Sequence, residues 1–217
     1  MRNYSDIDLN GVKAVLFDLD DTLYAYEPSQ KKGFNACVSL AFKKYAISEG
    51  DFERTWKLAR EKVHADLHGQ GSSHSRLLYF QKQYEFIFNK SNPTYALEME
   101  ELFWSEFISI MKLDPEAKIF LEVLKQKNIK TCIVTDLTTQ IQMKKWIHLG
   151  LGNYFDFLVS SEEAGVEKPS SEIFNLALEK LHVNATDAIM IGDNEKKDIA
   201  GASALGIKSY LIQANNN

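Results

Sequence analysis

Cysteine is nearly missing from this chain of 217 residues: there are two, Cys37 and Cys132. They stand far apart, each inside an apolar pattern. That excludes a disulfide framework and reads as small hydrophobes packed in a reducing compartment. An excess of positive charge is missing as well. The 30 acidic residues outnumber the 25 basic ones and leave a net charge of −5. A broadly basic surface for nucleic-acid phosphates is therefore excluded. No uninterrupted apolar run exceeds four residues, far short of the roughly 18 that cross a bilayer, so no membrane partner is expected. The first ten residues are polar, with Asp6 and Asp8 among them, and do not make a signal-peptide core. The expected location is the cytoplasm. The five histidines show no spacing of metal ligands, and no repeat or low-complexity segment occurs.

What is present divides by periodicity. Val12–Phe17 is a near-continuous apolar run that stops at Asp18, as suits a strand buried on both faces of a parallel sheet. From Tyr24 to Leu113 the period becomes 3.6. Phe34, Val38, Ala41, Phe42 and Tyr45 mark a first helix; Phe52, Trp56, Ala59, Val63 and Leu67 mark a second, with Asp51 as its N-cap. Leu77, Gln81, Tyr84 and Phe88 mark a third. Asn92-Pro93 opens a fourth, with Met99, Leu102, Phe103, Phe107 and Ile110 on one face. After Asp114-Pro115 helices and strands alternate. Strands are expected at Thr131–Val134, Phe155–Val159, Ala188–Ile191 and Ser209–Ile212, and the intervening helices carry Phe120, Met143 with Trp146 and Ile147, Phe174, and Ile199 with Ala202. Alternation of this kind means βαβ units and a doubly wound parallel α/β sheet. The expected domains are an α/β core over 1–23 and 114–217 and a helical insertion over 24–113.

In such a sheet the carboxyl ends of the strands line the binding crevice. Here they end in acid: Asp18-Leu19-Asp20-Asp21-Thr22, Thr135-Asp136, and Gly192-Asp193 with Asp198 five residues on. Carboxylates gathered on one edge repel unless a cation sits among them. Oxygen ligands without His or Cys favour a hard cation, and partly hydrated Mg²⁺ fits best. Lys168, before Pro169, can neutralise phosphate oxygens as a point charge.

Phe17-Asp18-Leu19-Asp20-Asp21-Thr22-Leu23, Val134-Thr135, Lys168-Pro169 and Gly192-Asp193 with Asp198 resemble, in order, the four motifs of the haloacid dehalogenase superfamily. The helical insertion lies where that family places its type-one cap. The resemblance implies a phosphatase. Asp18 would be the nucleophile that forms an aspartyl-phosphate, and Asp20 the acid and base. Mg²⁺ would rest on the carboxylates of Asp18 and Asp193 and the carbonyl of Asp20. Thr135, Asp136 and Lys168 would form the phosphate site, with Asp198 and Asn194 supporting metal and lysine from behind. Asp136 stands where many relatives carry Asn, and its carboxylate is expected to cap the helix around Met143. The expected partner is a small phosphorylated metabolite, of nucleotide or sugar phosphate type, acted on by a monomer or homodimer. Arg76, after a Ser/His-rich loop, is the expected contact for the leaving group. Three rivals are a phosphomutase, which retains Asp20, a haloacid dehalogenase, which needs no second acid, and a silent interaction protein.

Overall fold

Ala14–Phe17 forms β1, and all four of its side chains are fully buried. In the computed structural model, which describes residues 3–212, this strand lies at the centre of a five-stranded sheet. The order is β3-β2-β1-β4-β5, with β2 at Lys130–Thr135, β3 at Phe157–Ser160, β4 at Ala188–Gly192 and β5 at Lys208–Leu211. All four pairings are parallel. Parallel strands need crossovers, and here they are helices: α5 (Pro115–Gln126), α6 (Thr139–His148), the short α7 (Ser161–Ala164) and α8 (Ser171–Leu181). Asp114 caps α5 by accepting from the amides of Glu116 and Ala117, with Pro115 at the first helical position. Core side chains Leu16, Val134, Met190, Phe174 and Ala177 join in one apolar cluster. Phe17, on the alternate face, meets the rings of Phe120 and Phe155 edge-on at 6.2 and 5.4 Å.

Register brings the site together. Phe17 lies opposite Ile133 on one side and Ile191 on the other, so Asp18, Val134 and Gly192 come next on three adjacent strands. The helix expected around Ile199 and Ala202 is instead a wide π-helical turn, Glu195–Ala200, followed by the short turn Gly201–Ser203. Asn194 caps it by accepting from the amides of Lys196 and Lys197. The wide turn lets the Asp198 carboxylate lean over Gly192, where an added Cβ would lie 2.3 Å from Asp198 Oδ2.

The chain forms two compact units, Met1–Tyr26 with Lys112–Asn217, and Glu27–Met111. The second unit is built of α1 (Tyr26–Tyr45), α2 (Glu49–Asp66), α3 (Arg76–Phe88) and α4 (Pro93–Ser109). Its helices exist as expected, but three of their buried faces differ. On α1 the buried stripe is Ser29, Gly33, Cys37 and Ala41, while Phe42 is 66% exposed. Small residues win because α4 comes close: a Cβ on Gly33 would lie 2.6 Å from the Phe103 carbonyl oxygen. On α3 the buried side chains are Arg76, Tyr79, Phe80, Gln83 and Tyr84, and Phe88 is exposed. A glutamine belongs in that face because both ends are bonded: Gln83 Nε2 donates to the Phe52 carbonyl, and Oε1 accepts from the Tyr95 hydroxyl. On α4, Met99, Phe103 and Phe107 are buried as expected, together with Tyr95 and Trp104, but Ile110 lies beyond the helix end. The cap of α2 is Ser48, not Asp51; the Ser48 hydroxyl accepts from the Asp51 amide, placing Asp51 at the third helical position. Both cysteines are buried and unbridged. Among the described residues no helix is long and apolar enough to cross a membrane.

Candidate active site

The end of β1 delivers Asp18 into a nearly dry position, 6% exposed. Its amide donates to the Ile191 carbonyl at 2.9 Å, extending the ladder by one residue. Its Oδ2 accepts from the Thr22 hydroxyl at 2.9 Å and its Oδ1 from Lys168 Nζ at 2.6 Å. Beyond it the chain turns sharply, with Asp21 in the left-handed region (φ 62°). Asp21 holds that turn by accepting from the Tyr26 amide at 2.9 Å.

Lys168 is buried and spends all three ammonium protons: on Asp18, on Asp198 Oδ1 at 2.7 Å and on the Val134 carbonyl at 2.9 Å. Burial alone would push its pKa down, but the carboxylates of Asp18, Asp198 and Asp136 outweigh it and hold it well above the ordinary lysine range. The lysine therefore stays charged. Its amide is tied at 3.0 Å to Asp136 Oδ1, whose other oxygen accepts from Lys197 Nζ at 2.7 Å. This corrects the expectation that Asp136 caps a helix. Residue Thr138 occupies the cap position of α6, with no side-chain cap bond, while Asp136 anchors the lysine loop to β2.

Asp18, Asp193 and Asp198 each offer a carboxylate oxygen, all within 4.8 Å of one another. Asp198 is fully engaged, by Lys168 on one oxygen and by the Asn194 amide at 2.9 Å on the other. Asp193 is half-buried, and among the described residues no lysine or arginine pairs with it. Burial first, then Asp198 and Asp21, push its carboxyl up to about 6. Burial likewise pushes Asp18 well above the carboxylate range, against the pull of Lys168 and with Asp198, Asp193 and Asp20 adding to the rise. An all-oxygen donor set in which Asp18 and Asp193 both resist ionisation is what a hard divalent cation would relieve. The acidic cluster can hold a metal.

Asp20, the other expected catalytic carboxylate, is not part of that triad. Its side chain is gripped elsewhere, by Lys145 Nζ at 2.7 Å to Oδ1 and 2.8 Å to Oδ2, and by the Tyr24 hydroxyl at 2.5 Å. Thr135, at the end of β2, is buried and accepts from Gln142 Nε2 at 2.7 Å. Gln142 and Lys145 escaped the sequence reading. The expected inner face of α6 was Met143, Trp146 and Ile147, yet Met143 and Ile147 are 53% and 77% exposed. The helix instead buries Ile141, Gln142 and Lys145. Polar groups occupy the inner face because they meet partners at the strand ends. The signal was present in the spacing, since Ile141, Gln142 and Lys145 share a face at i, i+1 and i+4.

Arg76 lies in the helical unit, buried at the start of α3. Its guanidinium sits over the rings of Trp104, Tyr79 and Phe103 at 5.2, 5.4 and 5.5 Å and donates to the His74 carbonyl at 2.7 Å.

Comparison with known proteins agrees with this geometry. The family description haloacid dehalogenase-like hydrolase matches residues 12–206. A ribulose-1,5-bisphosphate 5-phosphatase of Halopiger xanaduensis is 40% identical over 200 residues, covering 92% of this chain and 84% of the relative. A glyceraldehyde 3-phosphate phosphatase of Methanothermobacter thermautotrophicus is 28% identical over 206 residues, covering 94% and 86%. Among solved structures, a 2-haloacid dehalogenase of Pseudomonas syringae superposes with a TM-score of 0.75 at 25% identity, covering 92% of this chain and 86% of that one.

Proposed function

The chain belongs to the haloacid dehalogenase-like hydrolases and is a phosphatase of that family; we propose that it removes phosphate from a small sugar phosphate, with Mg²⁺, through a phosphorylated Asp18. The observation that carries this reading is the buried constellation at the strand ends. Asp18 is bonded to a fixed lysine and shares an oxygen cluster with Asp193 and Asp198. A carboxylate so placed can approach a phosphate dianion only because cationic charge is already beside it.

In the first half-reaction an Asp18 oxygen attacks phosphorus while Asp20 gives a proton to the departing sugar oxygen. Lys168 neutralises charge on Asp18 and on the phosphoryl oxygens. The Thr135 hydroxyl accepts from Gln142 and donates to the Asp136 carbonyl only at 3.4 Å, a long bond it can exchange for one to a phosphoryl oxygen. In the second, Asp20 takes a proton from water as that water displaces Asp18 from phosphorus. The carboxylates of Asp18 and Asp193 and the main-chain carbonyl of Asp20 would hold Mg²⁺, which when bound would further neutralise the phosphoryl charge. The name of the 40%-identical relative supports a sugar bisphosphate as substrate. A dehalogenase needs no counterpart of Asp20, whereas here three donor bonds are spent on fixing it.

A panel of ribulose 1,5-bisphosphate, glyceraldehyde 3-phosphate, nucleotides, phosphoglycolate and a hexose 1-phosphate tests the proposal, with phosphate release followed in Mg²⁺ and in chelator. Sugar phosphates should turn over fastest, and chelation should stop all turnover. Undiminished activity in chelator would overturn the metal assignment. Isomerisation of the hexose 1-phosphate without phosphate release, or halide release from a 2-haloacid, would overturn phosphatase action. Apparent Mg²⁺ affinity should fall as pH drops through about 6, where Asp193 regains its proton. Titration calorimetry at several pH values reads that fall.

A further inference from the structure

Lys145 is fully buried on α6, yet it is a charged side chain facing a carboxylate that is itself 27% exposed. Burying an ammonium group is costly even when it is paired, and a methionine of similar length would fill the same niche without that cost. The residue is therefore poorly explained by stability. Its contacts explain it better. The ammonium bonds both oxygens of Asp20, and Tyr24 adds a third bond to Oδ1. Two bonds from one donor group fix the plane of a carboxylate that water would otherwise leave free to turn. The Tyr24 hydroxyl donates that bond and keeps its proton, since burial and then the Asp20 charge push its pKa well above the usual tyrosine value. The rings of Tyr24 and Tyr26 lie 5.8 Å from Lys145 Nζ and wall it in.

We propose that Lys145 is a positioning residue for the reaction: it holds the Asp20 carboxylate in the orientation from which it exchanges a proton with the leaving group and then with water. The proposal rests on the acid/base role given to Asp20 above. Its bonds to both oxygens of Asp20 give it a direct hold on the group that moves the proton. A misplacement of about 1 Å at a reacting group is worth on the order of 10²-fold in rate.

The test is a double-mutant cycle of Lys145→Met and Asp20→Asn in the full-length Mg²⁺-loaded enzyme, with p-nitrophenyl phosphate and an alkyl phosphate. In the native background Lys145→Met should lower kcat by on the order of 10²-fold with KM nearly constant. In the Asp20→Asn background the same substitution should change kcat by less than about twofold, because its target is gone. Lys145→Gln, which retains a donor one bond shorter than the lysine, should recover part of the lost kcat, and it gives the same cycle if Lys145→Met fails to fold. A full Lys145 effect persisting in the Asp20→Asn background would overturn the proposal, as would unchanged kcat in the native background. Unchanged kcat for Asp20→Asn alone would instead overturn the acid/base reading.

Discussion

Asp18→Asn is expected to lower turnover by about 10⁵–10⁶-fold, the loss typical of removing a nucleophile from a site that acts as a unit. It removes the attacking oxygen and one carboxylate of the acidic triad together. Asp20→Asn should lose only about 10²–10⁴-fold, the usual worth of acid/base catalysis. That loss should be smaller with p-nitrophenyl phosphate, whose leaving group needs little protonation, than with an alkyl phosphate. Acid quench of the working enzyme should trap an acyl phosphate in native protein and in Asp20→Asn but none in Asp18→Asn. Loss of folding does not explain the Asp18 result. Burial, with Asp198, Asp193 and Asp20 adding to it against Lys168, raises the Asp18 pKa in the folded state. A carboxyl whose folded pKa is raised costs stability as pH climbs from its unfolded value of about 3.8 through the raised one. The neutral asparagine escapes that cost, so in chelator near pH 7 its melting temperature should equal or exceed that of native protein. Residual Asp18→Asn turnover within a hundredfold of native, with no contaminating phosphatase, would remove Asp18 from the nucleophile role.

The sheet and its acidic edge were legible in the sequence because their signals are local. Ala14–Phe17 is a short apolar run cut by Asp, and a run too short for a helix reads as a buried strand that ends where the sheet's carboxyl side opens. The caps at Asn92-Pro93 and Asp114-Pro115 were legible for the same reason. Helix faces were not, wherever tertiary partners decided them. The inner face of α1 is set by the backbone of α4 meeting Gly33, and no periodicity of large residues announces a close approach. The inner faces of α3 and α6 contain Gln83, Gln142 and Lys145, each buried because a partner outside its own helix bonds it. A reading that scores apolar residues alone turns such helices to the wrong face. Asp136 shows the same limit in a loop. Its position before α6 suggested a cap, but a lysine loop more than thirty residues further on claims its carboxylate.

Lys168→Met is expected to be as damaging to the metal-free fold as to turnover. Native Lys168 bonds Asp18 and Asp198 and stands among three carboxylates that lie within 4.8 Å of one another. Two unit charges about 4 Å apart repel by roughly 4 kcal/mol at the effective dielectric of a protein, so without the lysine they cannot all remain ionised in chelator. Breaking a buried pair by deleting one partner costs about 3–5 kcal/mol, and a loss of that size should appear as a large drop in melting temperature at pH 7. The sign of its pH dependence follows from the carboxyls left behind. The folded pKa values of Asp18 and Asp193, already raised, rise further, so protonation favours the folded state, and stability is regained as pH falls from 7 toward 5. Added Mg²⁺ should also restore stability, by supplying the missing positive charge, and its effect should shrink as the carboxyls take up protons. Turnover should not recover with it. The metal replaces charge, but it cannot donate the hydrogen bond that orients Asp18, and a loss of at least about 10³-fold should persist at saturating Mg²⁺. Thermal melts in chelator and in Mg²⁺ between pH 5 and 7.5, read beside kcat, separate the two effects. A melting temperature in chelator that is native-like and flat with pH would show that Lys168 does not balance the charge of this cluster.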